Sequence, residues 1–461
     1  MVSLLGFLTV GVILTLLLTN RVAAVVALAG VPIVAALVAG FGPTEIGEFA
    51  SGGIADVAGT AAMFVFAIAF FGVLRDAGMF DPVIRRIVGM AGDSPATVCA
   101  ATTALACAAH LDGAGATTFL ITIPAMLPIF DRLGMSRLLL TTCVGLGAGV
   151  MNLLPWGGPT ARAASTTGVP ANELWVPLIP AQAVGIVTAL VIAWLLGKRE
   201  SRRIAAGAEQ EVGVSAGSTG AGGGTGGTGD AAEPAPATAT ESGTGADEEH
   251  LRRPRLFWFN VVLTVAVIGA LVAAVAPPEA VFLAGLVVAL IVNYPGLKRQ
   301  TERIEAHAKG AMLMATTLLA AGVFLGILES SGMIEAMAVT AAEAIPAGAA
   351  PALPLIIGVL GVPLSLVFGP DAFYFGVLPV LTGIGDQFGI SGADLAQAAL
   401  IGEETLGFPI SPMTGAFFLL VGLAGVDIGK HIRRLIGWAW LTSLVMLAVA
   451  FATGAVPVWA A

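Results

Sequence analysis

The sequence predicts an all-α polytopic membrane protein: an inverted-topology repeat of two halves, each with about five transmembrane crossings, one re-entrant hairpin and one interrupted helix. Three observations predict it. Of 461 residues, 57% are hydrophobic and 11% charged, with a mean hydropathy of +0.93; a soluble protein averages about 25% charged. Six apolar blocks stand on each side of a polar, low-complexity stretch. Short motifs recur across that stretch at a nearly constant spacing.

The first half, residues 1–200, has apolar blocks at 4–19, 22–40, 58–76, 97–131, 136–168 and 174–197. Met1 to Asn20 lacks a basic leader and a small-residue cleavage site, so it reads as a span and not a removable signal. From Ala205 to His250 the chain is Gly, Ala, Thr, Ser and Glu without periodicity, which predicts a disordered linker within 201–255. Apolar blocks resume in 256–461 at 256–276, 278–295, 311–330, 350–388, 394–425 and 435–458. The halves align. Gly72 in Phe71-Gly72-Val73-Leu74 matches Gly326 in Leu325-Gly326-Ile327-Leu328, and 326 − 72 = 254. Gly134 matches Gly389 (389 − 134 = 255), and Pro155 matches Pro409 (409 − 155 = 254).

Positive charge sets the orientation. Lys198, Arg199, Arg202, Arg203, Arg252, Arg253 and Arg255 place the linker in the cytoplasm. Arg21, a loop with Arg75, Arg85 and Arg86, then Arg132, Arg137, Lys298, Arg299, Arg303, Lys309, Lys430, Arg433 and Arg434 belong on the same side. The remaining loops hold acids only: Glu45, Glu48 and Asp56; Glu279; Glu335 and Glu343. A span needs about 20 residues. Blocks 97–131 and 350–388 are too long for one span, yet both ends of each fall on one side, as two full spans or a re-entrant hairpin would allow. Their Gly-rich, polar middles favour hairpins. Blocks 136–168 and 394–425 each cross once and are broken by Pro/Gly clusters. Blocks 4–76 and 174–197, with 256–330 and 435–458, are then a scaffold. Each half crosses an odd number of times, so the halves run in opposite senses and both termini are external. An inverted repeat with broken helices meeting at mid-membrane points to secondary transport.

Composition excludes several classes. Cys99, Cys107 and Cys143 lie in apolar segments without ligand spacing, so neither a disulfide framework nor a zinc site is expected. No basic tract supports nucleic-acid binding. The lipid bilayer is the evident surrounding phase.

Polar residues cluster on the breaks, where burial is costly unless something pairs with them. The first half offers His110, Asp112, Thr117, Thr118, Asn152, Gly157, Gly158, Thr160 and Arg162; the second offers Asp371, Tyr374, Glu403, Glu404, Thr405, Ser411 and Thr414. Each has a plainer reading. Asp112 and Asp371 could cap half-helices, His110 could be a packed histidine, Arg162 could pair with a buried carboxylate, and Trp156 could be packing. His250, His307 and His431 fit the linker or basic loops. Still, four carboxylates, a histidine and one arginine form a mixed set. A polyanion alone would call for more arginine, and a bare cation would not need Arg162. The mixture suggests an anion and a cation moving together, with oxygen ligands for a hard divalent ion and spare carboxyls for protons.

His110-Leu111-Asp112-Gly113, the run Ala116-Thr117-Thr118-Phe119-Leu120-Ile121-Thr122-Ile123-Pro124-Ala125-Met126, and Leu154-Pro155-Trp156-Gly157-Gly158-Pro159-Thr160 resemble the citrate–metal:proton symporter family (CitMHS). The resemblance implies uptake of citrate as a complex with a divalent metal of the magnesium or calcium class, together with H+, and a fold like that of the divalent anion–sodium symporters: a homodimer with hairpins, interrupted helices and an elevator motion. It supplies no residue roles. From the residues, Thr117, Thr118, Asn152, Gly157, Gly158, Thr160, Arg162, Ser411 and Thr414 are assigned to substrate, Asp112, Asp371 and Glu404 to metal, and His110 and Glu403 to protons. A sodium/proton antiporter, or a carrier of another organic anion or an oxyanion, is the alternative. An intramembrane metalloenzyme lacks support: there is no His-Glu-x-x-His motif and no serine nucleophile with a paired base.

Overall fold

The computed structural model describes residues 2–459 except 20, 216–248, 345 and 347, and its described elements are helical. In chain order the first ten helices are α1 (Val2–Leu18), α2 (Ala24–Ala39), α3 (Pro43–Asp76), α4 (Asp81–Met90), α5 (Pro95–Ala109), α6 (Gly115–Arg132), α7 (Arg137–Met151), α8 (Gly158–Thr167), α9 (Ala171–Trp175) and α10 (Ile179–Ser215). Then follow α11 (Phe257–Val272), α12 (Pro278–Asn293), α13 (Leu297–Ser330), α14 (Met333–Ala344), α15 (Leu353–Leu364), α16 (Leu378–Gln387), α17 (Gly392–Leu400), α18 (Gly415–Ala424) and α19 (Ile428–Thr453). Five described helices are long and apolar enough to cross a bilayer, α3, α11, α13 and α19 among them. This is a multi-pass membrane protein.

Helix α3 begins where Pro43 follows Gly42 and the Glu45 carboxylate accepts the Gly42 N–H at 2.8 Å. Proline has no N–H to lose in a first turn, and a carboxylate there satisfies an otherwise unpaired donor. Glu45, Glu48 and Asp56 therefore ride on the helix instead of lying in a loop. Arg75 likewise stands on its last turn, and Glu335 and Glu343 stand on α14. Helix α13 is also 34 residues long and starts 297 − 43 = 254 positions after α3.

These two helices cross through small residues. A Cβ on Gly53 would fall onto the Gly322 carbonyl and within 2.8 Å of the Gly326 Cα; one on Gly72 would fall 2.6 Å from the His307 ring. As α3 runs from 53 to 72, its partner runs back from 326 to 307, so the helices are antiparallel. The contacts interchange under one shift: 307 − 53 = 254 and 326 − 72 = 254. Glycine here lets backbones touch, which is the usual basis of helix association where lipid removes a hydrophobic drive. Helix α2 packs on α13 and α12 packs on α3.

The hairpin regions also recur. Between α5 and α7, a Cβ on Gly147 would sit 2.9 Å from Ala106 Cβ; a Cβ on Gly361 would sit 2.9 Å from Gly402 Cα. Here 402 − 147 = 255 and 361 − 106 = 255. In the second half, Ala372–Val377 forms a wide π-type turn before α16, a bulge that frees backbone groups and is common at functional sites.

Part of the stretch expected to be a disordered linker is helical. Helix α10 carries on through Ser201-Arg202-Arg203-Ile204-Ala205-Ala206 to Ser215, because arginine and alanine prolong an existing helix at little cost. Residues 216–248 lie outside the described residues. Where the chain returns, it is clasped. The Arg253 N–H donates to the Ala77 carbonyl and its Nε to the Asn293 carbonyl, both at 2.9 Å. Its guanidinium lies 5.0 Å from the Tyr294 ring centroid. Beside it the Asp76 carboxylate meets Arg303 at 3.1 Å and His307 Nε2 at 2.9 Å. His307 is thus a hydrogen-bond partner of Asp76 on α13 and not a loop residue.

Candidate functional site

Four breaks in the helices supply the polar side chains. The first follows α5, where the chain tightens into the turn His110–Asp112 and leaves it through Gly113 at φ 73. That left-handed conformation suits glycine, and a Cβ there would press to 3.0 Å on Trp156. Asp112 Oδ1 accepts the Ala114 N–H at 2.9 Å, so this aspartate does close the turn. Its other oxygen is 3.4 Å from Arg75 Nη1, which also donates to Thr117 Oγ1 at 3.0 Å.

His110 is fully buried. Nδ1 lies 2.8 Å from Thr118 Oγ1, and Nε2 lies 3.2 Å from Asn152 Oδ1. Asn152 ends α7 and opens the second break, and its Nδ2 donates to the Glu404 carbonyl at 2.6 Å. With the Asn152 amide thus oriented, Oδ1 is its only group left for His110, so Nε2 is the donor. The Thr118 hydroxyl, which also reaches the Ala114 carbonyl at 3.0 Å, can turn between the two. It serves His110 in either protonation state without moving a heavy atom.

The second break continues with Trp156, whose Nε1 donates to the Leu111 carbonyl at 2.8 Å and whose ring stacks on Phe71 at 4.9 Å. Gly157 turns back onto Leu154, with N to O at 2.7 Å. Gly158 then starts α8, and Arg162 Nη1 donates to its carbonyl at 3.0 Å while Nε holds Asp371 Oδ1 at 2.7 Å. Thr160 is buried with its hydroxyl unpartnered.

The third break lies between α15 and the π-type turn. Ser365 Oγ donates to Glu403 Oε2 and accepts the Glu404 N–H, each at 2.9 Å. Within the turn, Tyr374 donates its hydroxyl to the Glu403 carbonyl at 2.9 Å, and its own freed carbonyl accepts Thr166 at 2.8 Å. The fourth break, after α17, carries Glu403 and Glu404 side by side and fully buried. Glu404 has φ 53, a left-handed conformation that costs a non-glycine residue about 1–3 kcal/mol. It persists because Ser365 holds its N–H and Asn152 holds its carbonyl. Glu403 Oε1 and Glu404 Oε1 are buried without a hydrogen-bond partner. Ser411 Oγ accepts the Met413 N–H at 3.4 Å, and Thr414 spends its hydroxyl on the Phe408 and Ser411 carbonyls at 3.2 and 3.1 Å. A cavity of about 240 Å³ opens beside Asp371, Gly369 and Met413, walled on its far side by Leu17, Leu18, Val22 and Ala23.

The two halves therefore meet through His110, Asn152 and Glu404, and again through Arg162 and Asp371. Among the described residues no three His, Cys, Asp or Glu side chains are grouped to hold an ion, so Asp112, Asp371 and Glu404 form no ready three-ligand cluster. The reason is charge pairing, since Arg75 and Arg162 each claim one of the aspartates. Arg75 is part of the site and not of a loop. Ser365, which grips both glutamates, carried no sequence signal beyond its place in a polar interruption.

A helical membrane body whose helices break to bring buried acids together is the construction of a membrane transporter. The comparisons make that specific. The family described as "CitMHS: Citrate transporter" matches residues 7–402, and the chain belongs to that family of transporters, which are not enzymes. A "Citrate transporter" of Bacillus subtilis (strain 168) is 39% identical over 454 residues, covering 98% of this chain and 99% of that one. A "Mg(2+)/citrate complex secondary transporter" of the same organism is 37% identical over 458 residues, covering 99% and 100%. The crystal structure of the Alcanivorax borkumensis YdaH transporter shares the fold at a TM-score of 0.50 and 15% identity, covering 90% of this chain and 89% of that chain.

Proposed function

We propose that the protein is a secondary active transporter that imports citrate as a complex with a divalent metal, driven by proton symport. The observation that carries this reading is the meeting of two helix breaks from opposite halves at the Asn152–Glu404 bond, 2.6 Å long, beside glutamate oxygens buried without partners. Unpaired buried oxygens are costly unless a cation or proton visits them. The relative described as a magnesium–citrate carrier supports the form of the substrate. Thr117, Thr118, Asn152, Ser411, Thr414 and Arg162, with the backbone at Gly157 and Gly158, are the groups offered to citrate. Glu404 is the carboxyl offered to the metal, and Glu403 and His110 are the proton carriers.

The antiparallel crossing of α3 and α13 supports two inverted halves; an elevator step, a cytoplasmic linker, external termini and a homodimer are proposed with it. Uptake of radiolabelled citrate into proteoliposomes under an inward proton gradient tests the reading. Uptake that needs magnesium or calcium and stops when the gradient is collapsed is the expected result. Metal-independent uptake overturns the complexed form, and indifference to the gradient overturns proton coupling.

A further inference from the structure

Arg75 was placed by charge counting on the cytoplasmic surface, and no role follows from that position. The structure puts it on the last turn of α3, one helical turn after Phe71. Residues four apart share a helix face. This face is applied to the tip of the first hairpin and to the second break: Phe71 stacks on Trp156, and Arg75 reaches Asp112 and Thr117. Both contacts are made by a single nitrogen, Nη1. Among the described residues Nε and Nη2 have no hydrogen-bond partner, and the side chain is 35% exposed while Asp112 is 6% exposed. An exposed guanidinium cannot face lipid at acceptable cost, so its free edge faces water. A guanidinium fixed along one edge, with the other open, is the geometry that takes a carboxylate through two parallel hydrogen bonds.

We infer that Arg75 binds a carboxylate of the transported tricarboxylate, and that Asp112 is a positioning residue that holds it there. This inference rests on the metal–citrate reading and deepens it. Arg162 is the parallel case, with Asp371 on its Nε and the Gly158 carbonyl on Nη1. The site then carries two Arg–Asp pairs, and each aspartate orients its arginine instead of reaching for metal. It also answers the shortage of positive charge that a single arginine left for a tricarboxylate.

The test is equilibrium binding of radiolabelled citrate, with magnesium in excess, to the purified full-length protein, alongside proteoliposome uptake. R75Q should weaken binding by about 10- to 100-fold, the scale of a charge-assisted hydrogen bond lost in a site. R75K should recover part of that loss, because it restores the charge without the fork. D112N should weaken binding by less than R75Q and leave the magnesium dependence intact. Unchanged or tighter binding in both Arg75 variants, with only the uptake rate altered, overturns the inference and makes Arg75 a latch between α3 and the hairpin. A D112N protein that loses its magnesium dependence overturns the role given to Asp112. If R75Q fails to fold, R75K alone decides by the same criterion. Failure of the unaltered protein to bind citrate at all is a different result: it removes the metal–citrate reading and not the Arg75 assignment alone.

Discussion

The break in the first half and the break in the second half occupy matching positions and are built differently. Around Asn152–Gly157 the polar groups are satisfied: the Asn152 amide has partners at both ends, Trp156 caps Leu111, and Gly157 closes on Leu154. Around Glu403–Glu404 a backbone sits at φ 53, and two carboxyl oxygens are buried without partners. The first break is a bracket that fixes geometry. The second is held in a costly state by its neighbours. A left-handed backbone and two unpaired carboxyl oxygens in one of two otherwise corresponding places mark that one as the working part.

The contrast can be broken by substitution. The largest effect is expected from Glu404→Gln, which keeps the shape and removes the charge: citrate uptake in proteoliposomes should fall about 100-fold, near the upper end of what one buried charged group contributes. An equal loss from Trp156→Phe would erase the distinction between the breaks. Asn152→Ala removes the bond joining them and leaves His110 Nε2 and the Glu404 carbonyl unpaired. Uptake should fall about 10-fold or more, with a lower melting temperature in detergent. Glu404→Gly separates strain from function. Melting should hold or rise by the equivalent of about 1 kcal/mol, since glycine accepts a left-handed backbone, while uptake falls as it does in Glu404→Gln. The smallest effect belongs to Trp156→Phe, which keeps the stack on Phe71 and gives up one hydrogen bond worth about 1 kcal/mol. Uptake within about twofold of the unaltered protein is the result that keeps the first break a bracket.

Hydropathy was enough to read an all-helical membrane protein, and the His110–Gly113 and Leu154–Thr160 motifs were enough to read the family, because apolar runs and Gly/Pro interruptions are local properties. What stayed hidden was pairing at a distance. Arg75 looked like one more basic residue at a span end, since nothing in a sequence says that a side chain on α3 folds over onto a turn 37 positions later. Ser365 was silent for the same reason: a lone serine in an apolar run is chemically ordinary until Glu403 and Glu404 are laid against it. The aspartates read as unpaired carboxylates because they were counted without their arginines. The extent of α3 and α10 was missed because hydropathy marks the lipid-soluble part of a helix, and both helices run on beyond it.

The clasp at Arg253 bears on how the polypeptide must be continuous. The chain re-entering after residue 248 is bound by its own backbone and guanidinium to Ala77, Asn293 and Tyr294. Its place is therefore set by the body it docks onto. Covalent connection between the halves is then a matter of supply, raising the local concentration of one half beside the other. Two separately encoded polypeptides, divided within 216–248 and produced together, should find each other through the Gly53–Gly322 crossing and take up citrate. Arg253→Ala should harm that reassembly far more than it harms the unbroken chain.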